Sequence, residues 1–447
     1  MTRNIDWKKA GWEAAGMLAD LIRINTTNPP GNESLACSYL KPRYKEIGLE
    51  TAVVESAPGR GSIIGRLRAP DPQGPPLLLL AHLDVVPAEP EGWTVPPFSG
   101  EMKDDYIYGR GALDCKNAVT AEWHALRLFQ RAGLAPRRDV ILAATADEEA
   151  GGKFGVPWIL ENRPELLAPG FCVNEGGGFG YSLGDKEIYF CQAAEKGVCW
   201  FSLTALGEPG HASVPRPDSA MDRMLEALAA LKKMGSPISV SRTMKALVAG
   251  VATAMGGTVA PDKLGDNKIA ALLDASARSE EMKRIFYALT RNTLSITMVH
   301  GGVKTNVIPA RVEAAIDCRI VPGHDPQKLL ADIRKVAAPF QVSVEPLHIS
   351  AGVEVEPEGE LYDALDAALR ASRPNTSMVP FMVPGGTDGR FLAERGVKVY
   401  GFIPVLADPG GDVSVFRRAH GVNERVSIHD LAFAIRVLYE MLARFCV

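Results

Sequence analysis

The run Leu77-Leu78-Leu79-Leu80-Ala81-His82-Leu83-Asp84 constrains this chain more than any other stretch. Consecutive apolar residues of this length read as a strand buried on both faces, and such strands do not ordinarily finish in an imidazole and a carboxylate two positions apart. The strand period is two, so His82 and Asp84 should face the same side. A metal ligand and the carboxylate that orients it fit this pair. A core histidine capped by a surface aspartate fits it too, and the pair alone leaves both readings open.

Recurrence of the pattern decides between them. Asp139-Val140-Ile141-Leu142-Ala143-Ala144-Thr145-Ala146 is a second apolar strand, and it runs into Asp147-Glu148-Glu149. Phe171-Cys172-Val173 is a short third one, running into Asn174-Glu175-Gly176. Between the first two lies Gly109-Arg110-Gly111-Ala112-Leu113-Asp114-Cys115-Lys116-Asn117, where Asp114 is expected at the N-cap of an amphipathic helix ending near Gly133. In an open α/β sheet the functional crevice lies beyond the carboxyl ends of the strands. Three strand ends and one helix start therefore deliver His82, Asp84, Asp114, Glu148, Glu149 and Glu175 to one rim. So many carboxylates repel one another unless cations sit among them, and electrostatics alone predicts a metal site.

With 447 residues the chain exceeds one ordinary core, so two domains are expected. A net charge of −4 gives no reason to expect nucleic acid or an anionic membrane as partner. The seven cysteines form no CxxC pair, which points to reduced thiols in a cytoplasmic protein and away from a zinc finger. The start, from Met1 to Lys9, lacks the apolar core of a secretory signal, and no apolar run approaches the ~20 residues of a membrane span.

Helix and strand signals alternate through the first third, beginning with helices from about Trp7 to Arg23 and from about Glu33. The predicted fold is α/β, with a mainly parallel sheet flanked by helices. Near residue 195 the texture changes. Lys196 to Leu206 alternates in part like a half-exposed strand, and Ala220 to Met234 reads as a helix with Met221, Met224, Leu225, Leu228 and Leu231 on its apolar face. Two strands flank Asn306-Val307-Ile308-Pro309, and Asp325-Pro326 starts a helix to about Ala338. This predicts an inserted, smaller α+β domain of antiparallel sheet plus helices over 195–349, with residues 1–194 and 350–447 forming the catalytic domain. The stretch 236–292 is the least legible part of the sequence, and a helical insertion in the smaller domain is one reading of it. A helix near 360–372, a strand at Val397 to Ile403 and a final helix from Ser427, with Asp430 completing a capping-box variant, resume the α/β pattern.

These motifs, together with Arg418-Ala419-His420-Gly421, resemble the M20 metallopeptidase family, which includes aminoacylases, glutamate carboxypeptidases, acetylornithine deacetylases, desuccinylases and di- and tripeptidases. The resemblance runs from about residue 15 to the C-terminus, and extends to Gly210-His211-Ala212-Ser213, Thr305 to Pro309, Asp317-Cys318-Arg319 and Gly385 to Arg390. It implies two divalent ions, most simply Zn²⁺, with Co²⁺ or Mn²⁺ as alternatives. His82 and Glu175 would complete one site, Glu149 and His420 the other, and Asp114 would bridge. Asp84 would orient His82, and Glu148 would be the general base. Of the adjacent pair only one side chain faces the metals easily if the strand continues, because neighbours point opposite ways. The peptide Asp114-Cys115 would be cis, and Cys115 stands where the family often has methionine.

The resemblance further implies hydrolysis of an N-acyl amino acid or short peptide by metal-activated water. It implies that His211 of the inserted domain reaches across a homodimer to the oxyanion, and that Asn306, Arg319, Gly385 and Gly386 hold the substrate carboxylate. For Arg319 the competing reading is a surface pair with Asp317 or Asp325, and Asp388 with Arg390 reads as an internal ion pair. His124, His300, His324, His348 and His429 read as structural. No basic cluster adjoins the motifs, so a neutral acyl group is preferred over a desuccinylase substrate. Dipeptidase or desuccinylase action, or a non-catalytic metal- or peptide-binding homologue, are the alternatives.

Overall fold

The computed structural model describes residues 5–407 and 418–447. Leu77–His82 forms the middle of a mixed sheet, with all six residues buried. Alternation divides it between two cores. Leu77, Leu79 and Ala81 pack beneath the helices Trp7–Arg23, Lys116–Arg131, Glu360–Ser372 and Ile428–Phe445, whereas Leu78 and Leu80 pack on the opposite face with Val156, Ile159 and Leu392. A strand apolar at every position is thus one that has a helical layer on both sides.

Val140–Thr145 and Phe171–Asn174 run parallel to this strand on either side, and Lys398–Gly401 extends the parallel centre. Antiparallel strands flank it, Gly61–Leu67 and Glu50–Glu55 on one edge and Lys186–Glu195 toward the other. Among the described residues this sheet has ten strands. Because the central three are parallel, their carboxyl ends share one rim; His82 lies directly beside Thr145 in the register.

From Glu195 the chain crosses into a four-stranded antiparallel sheet, ordered Thr293–Gly301, Arg311–Ile320, Gly197–Leu206, Val342–Ser350. Helices Ala220–Lys233 and Pro326–Ala337 cover one face of it. The chain then returns to the large sheet at Val353–Glu354, which pairs with Lys186–Glu195. The final helix opens with the expected capping box, Ser427 and Asp430 bonding reciprocally.

Three expectations are corrected. Cys115, not Asp114, is the N-cap of helix Lys116–Arg131, because the Asp114 carboxylate is turned to two histidines instead of the first-turn amides. The stretch 236–292 is helical (Arg242–Ala254, Asp266–Ser276 and Glu280–Leu289), but it does not join the helical layer of the small sheet. Its apolar residues Met244, Leu247, Ile269 and Leu289 share a core with Ile188, Val379, Phe381 and Met382 of the large sheet. On helix Ala220–Lys233 the buried face is Ala220, Met224, Ala227, Leu228 and Leu231, while Leu225 is 57% exposed. The helix covers a narrow stripe of sheet, so the apolar arc is wider than the buried one.

That last correction is measurable in urea. Leu231→Ala should lower the unfolding free energy by roughly 2–5 kcal/mol, as for a buried leucine, and Leu225→Ala by less than about 0.5 kcal/mol. Equal losses would restore the sequence-based face.

Candidate metal centre

Five of the residues expected as ligands converge at the carboxyl ends of the central strands. His82 Nε2 lies 3.0 Å from Asp114 Oδ1 and 3.5 Å from Glu175 Oε1. His420 Nε2 lies 3.0 Å from the other Asp114 oxygen and 3.1 Å from Glu149 Oε1. Donor atoms of His82, Asp114, Cys115 and Glu175 lie within 4.8 Å of one another, as do those of Asp114, Glu149 and His420. Asp114 belongs to both groups, one oxygen turned to each.

The other ring nitrogen of His82 is 2.9 Å from the Asp84 carbonyl oxygen. A carbonyl only accepts, so Nδ1 carries a proton, which leaves Nε2, the nitrogen turned to the acids, as the one that would ligate an ion. The Asp84 carboxylate stands farther from the ring, at 3.5 Å. It accepts instead from the Glu148 and Glu149 amides, both at 3.1 Å, and from Asn28 Nδ2 at 2.8 Å. Orientation of His82 therefore comes mainly from the Asp84 backbone, and the side chain holds the Glu148–Glu149 turn. That turn is a 3₁₀ segment, Glu148–Ala150, entered through Asp147 with φ +74°. The strand has ended before the two glutamates, so its alternation no longer sets which of them faces the centre.

Several supports carry no local sequence signal. Asp147 accepts from Asn28, Arg60 and the Phe154 amide, and Arg60 also forks onto buried Glu33. On the far side, buried Glu424 accepts from the Leu113 and Asp114 amides at 2.8 and 3.1 Å. Its other oxygen meets Arg110 at 2.5 Å, and Arg110 donates to the His420 carbonyl at 3.0 Å. His420 itself has φ +59°, a conformation that needs such restraint. Arg110 and Glu424 thus tie two of the converging residues to each other.

Charge balance tests whether this set suits cations. Burial, reinforced by Asp114, pushes Glu175 up to about 8. Burial with the adjacent Glu175 charge raises Glu148 well above the usual carboxylate range, and burial raises Glu149 too. The Asp114 and Glu149 carboxylates push His420 up to about 10. Burial works against ionisation of both Asp114 and His82, yet His420 and His82 hold Asp114 low, and Cys115, Glu175 and Asp114 hold His82 high. The metal-free cluster thus retains protons to offset its own repulsion, which is the condition divalent cations relieve. Carboxylates and imidazoles in this arrangement fit two such ions. Cys115 fits poorly: its Sγ receives the His82 amide at 3.2 Å, and burial raises its thiol well above the ordinary range. The Asp114–Cys115 peptide is cis, as the resemblance implied.

The remaining expected site residues are outside the two donor groups. His211 and Asn306 come together on the small ladder Gly210–His211 with Val307–Ile308, where the Ala212 amide donates to the Asn306 carbonyl. His211 is exposed, with Nδ1 against Ser213 Oγ at 2.7 Å. Arg319 forks onto Asp317 at 2.8 and 3.1 Å, the surface pair its sequence context allowed. Gly385 and Gly386 sit in the loop after strand Thr376–Val383, which is pinned to the rim through Thr387: its amide and hydroxyl donate to buried Glu195, and Asn174 donates to its Oγ1. Asp388 and Arg390 form no ion pair. Arg390 donates to the Thr387 and Gly151 carbonyls, while Asp388 accepts from Thr145 and burial pushes it up to about 7. His124 is buried edge-on to Trp123 and His324 meets Ser239, both structural.

The fold and the donor set together are those of a metal-dependent hydrolase of amide bonds. Residues 78–444 match Peptidase family M20/M25/M40, and the chain belongs to that family. It is 30% identical over 420 residues to the N-fatty-acyl-amino acid synthase/hydrolase PM20D1 of Mus musculus, covering 90% of this chain and 81% of that one. It is 26% identical over 399 residues to aminoacylase-1 of Mus musculus, covering 87% and 86%. Among solved structures, the M20 family metallo-carboxypeptidase Sso-CP2 from Sulfolobus solfataricus superposes with a TM-score of 0.74 at 20% identity, covering 97% of this chain and 99% of that one. No described helix is long and apolar enough to cross a membrane.

Two measurements follow from the geometry. Glu424→Gln keeps the shape but loses the charge that holds Arg110 and the Asp114 amide, so divalent-ion affinity by chelator competition should fall about 10–100-fold. Unchanged affinity would remove Glu424 from the support. In chelator, the groups raised on folding (Glu175 about 8, Asp388 and Glu424 about 7, His420 about 10) bind more protons in the native than in the unfolded state. Metal-free stability should therefore fall as pH rises from about 5 to 7, above which Lys116 and Lys196, lowered by burial to about 7, act in the opposite sense. Lowered Asp114 acts in the opposite sense below about pH 4, and His124, lowered by burial to about 4, partly offsets the fall up to about pH 6.5. Added Zn²⁺ should raise the melting temperature more at pH 8 than at pH 6, and a metal-free melting temperature climbing from about pH 5 to 7 would contradict this balance.

Proposed function

We propose that this protein is a dinuclear metal-dependent hydrolase cleaving the amide bond of an N-acyl amino acid, or of a short peptide with a free carboxylate. The observation that carries the reading is Asp114, whose two oxygens face two separate histidine–glutamate pairs. In this reading His82 and Glu175 would hold one ion, Glu149 and His420 the other, and Asp114 would serve both. Mixed carboxylate and imidazole donors suit Zn²⁺, and also Co²⁺ or Mn²⁺. Two bound divalent ions would acidify a water and polarise the amide carbonyl.

Glu148 adjoins the ligands without belonging to the set, and its raised affinity for protons suits a base that takes the water's proton and passes it to the leaving nitrogen. Asp84 keeps that base in place through the Glu148 and Glu149 amides. His211 donates to the developing oxyanion from the neighbouring subunit of a homodimer. Arg319 binds the substrate carboxylate by exchanging Asp317 for it, with Asn306 and the Gly385-Gly386 backbone alongside. Strand Thr293–Gly301, an open edge with Met298 and Val299 exposed, supports pairing through the smaller sheet. Likeness to aminoacylase-1 and to the N-fatty-acyl-amino acid enzyme supports N-acyl amino acids ahead of peptides. Seven buried cysteines, none of them in a disulfide, support a reducing compartment such as the cytoplasm.

Hydrolysis of a panel of N-acyl amino acids and dipeptides by Zn²⁺-loaded protein tests the reading. Glu148→Gln should lose about 10²–10⁴-fold in kcat while still binding two ions. A wild type that binds two ions yet cleaves no amide would make the protein a binding homologue. Sedimentation should give the mass of two chains, and the mass of one chain would end the cross-subunit role of His211.

A further inference from the structure

The helical stretch 236–292 carries a cleft of about 240 Å³ that no step above uses. Helices Asp266–Ser276 and Glu280–Leu289 supply most of its lining, and Ile238, Ala270 and Phe286 give it an apolar wall. Two opposite charges line it as well, Arg291 and Asp274. Among the described residues neither makes an ion pair, with the other or with any third group. Lys283, whose ammonium feels the Asp274 charge, is bonded to Glu280 at 2.8 Å. The Arg291 guanidinium lies 4.0 Å from the centre of the Tyr287 ring, so one flat face is covered while the donor edge stays available. Its Nε is buried without a hydrogen-bond partner, and its Nη2 reaches only Thr290 Oγ1, at 3.4 Å. The backbone here is fixed, because Arg291 bridges to Ile238 and its carbonyl accepts from Lys196 Nζ at 2.8 Å.

A buried donor left without an acceptor is unfavourable, and a carboxylate lying along the guanidinium edge would supply one. A simple anion would meet the Asp274 charge as well, so the fitting molecule carries a cation beside its carboxylate. A free α-amino acid has both charges and its side chain on one carbon. We infer that the cleft binds a free amino acid with an apolar side chain. Its carboxylate pairs with Arg291, its ammonium with Asp274, and its side chain lies against Ile238, Ala270 and Phe286. An apolar cavity of roughly 150 Å³ holds a benzene ring, so the cleft has room for that of phenylalanine. None of its residues belongs to the metal centre or to the group assigned to the substrate carboxylate. The site is therefore additional to the reaction centre and stands whether or not the hydrolase reading holds.

The test is calorimetric titration of L-phenylalanine into metal-loaded protein carrying Arg319→Gln, which weakens binding at the proposed substrate-carboxylate position. In that background Arg291→Gln should weaken phenylalanine at least tenfold. Asp274→Asn should weaken it about threefold, less because Asp274 is exposed. Ala271→Trp, at an exposed position of the wall, fills the cleft and should remove the binding. Two analogues report the same pairs from the ligand side. 3-Phenylpropionate, which lacks the ammonium, should bind about threefold more weakly than phenylalanine and lose no affinity on Asp274→Asn. Phenethylamine, which lacks the carboxylate, should lose none on Arg291→Gln. Absence of phenylalanine binding, or binding that Arg291→Gln and Ala271→Trp leave intact, overturns the site, and so does 3-phenylpropionate binding as tightly as phenylalanine. Amide hydrolysis is scored separately. A protein that cleaves no amide but loses phenylalanine on Arg291→Gln upholds the cleft and overturns only the hydrolase reading. An active enzyme without Arg291-dependent binding does the reverse.

Discussion

Everything at this centre depends on how one carboxylate is held between two imidazoles. Asp114 reaches His82 with one oxygen and His420 with the other, each at 3.0 Å. Its backbone amide is fixed by Glu424, whose partner Arg110 also fixes the carbonyl of His420. Through these contacts the end of a buried strand, the start of a helix and a segment some three hundred residues later are brought into register. Loss of Asp114 would leave His82 and His420 without the carboxylate they share.

The scaffold serves this arrangement in two ways. Parallel strands with helices on both faces set His82, Glu148, Glu149 and Glu175 at one rim, because parallel strands end on the same side. The residues behind them then limit their freedom. Asp84 is the clearest case: its carbonyl fixes the tautomer of His82 while its carboxylate holds the amides of the two glutamates. One residue thus links the imidazole to the proposed base. The antiparallel sheet is a separate construction, with its own core of Phe201, Leu203, Ile316 and Leu330, and Arg319 lies on one of its strands.

Much of this was legible in the chain. Apolar strands that break abruptly into acids carry a signal stronger than periodicity, because burying a charge without a partner is unfavourable enough to demand a reason. Helix boundaries such as Ser427 with Asp430 were legible for the same local cause, a cap visible within four residues. The stretch 236–292 was not, since its helices bury their apolar faces on strands Lys186–Glu195 and Thr376–Val383, and no neighbouring sequence names that surface. Asn28, Arg60, Arg110 and Glu424 were silent because each is an isolated polar residue whose partner lies far along the chain. Leu225 misled because apolar spacing marks a helix face but not how much of it the sheet covers.

The sequence by itself determined which residues do not belong in an ordinary core: His82, Asp84, Asp114, the pair Glu148 and Glu149, and Glu175, all at predictable element ends. Composition and local pattern suffice for that, since strand period, caps and the penalty for buried charge act over a few residues. Only the tertiary structure decided how those residues divide. It turned the two oxygens of Asp114 to different histidines, gave Asp84 to a turn more than to an imidazole, and paired Arg319 with Asp317. Each of these depends on distances between elements remote in sequence, which packing sets and no local pattern encodes.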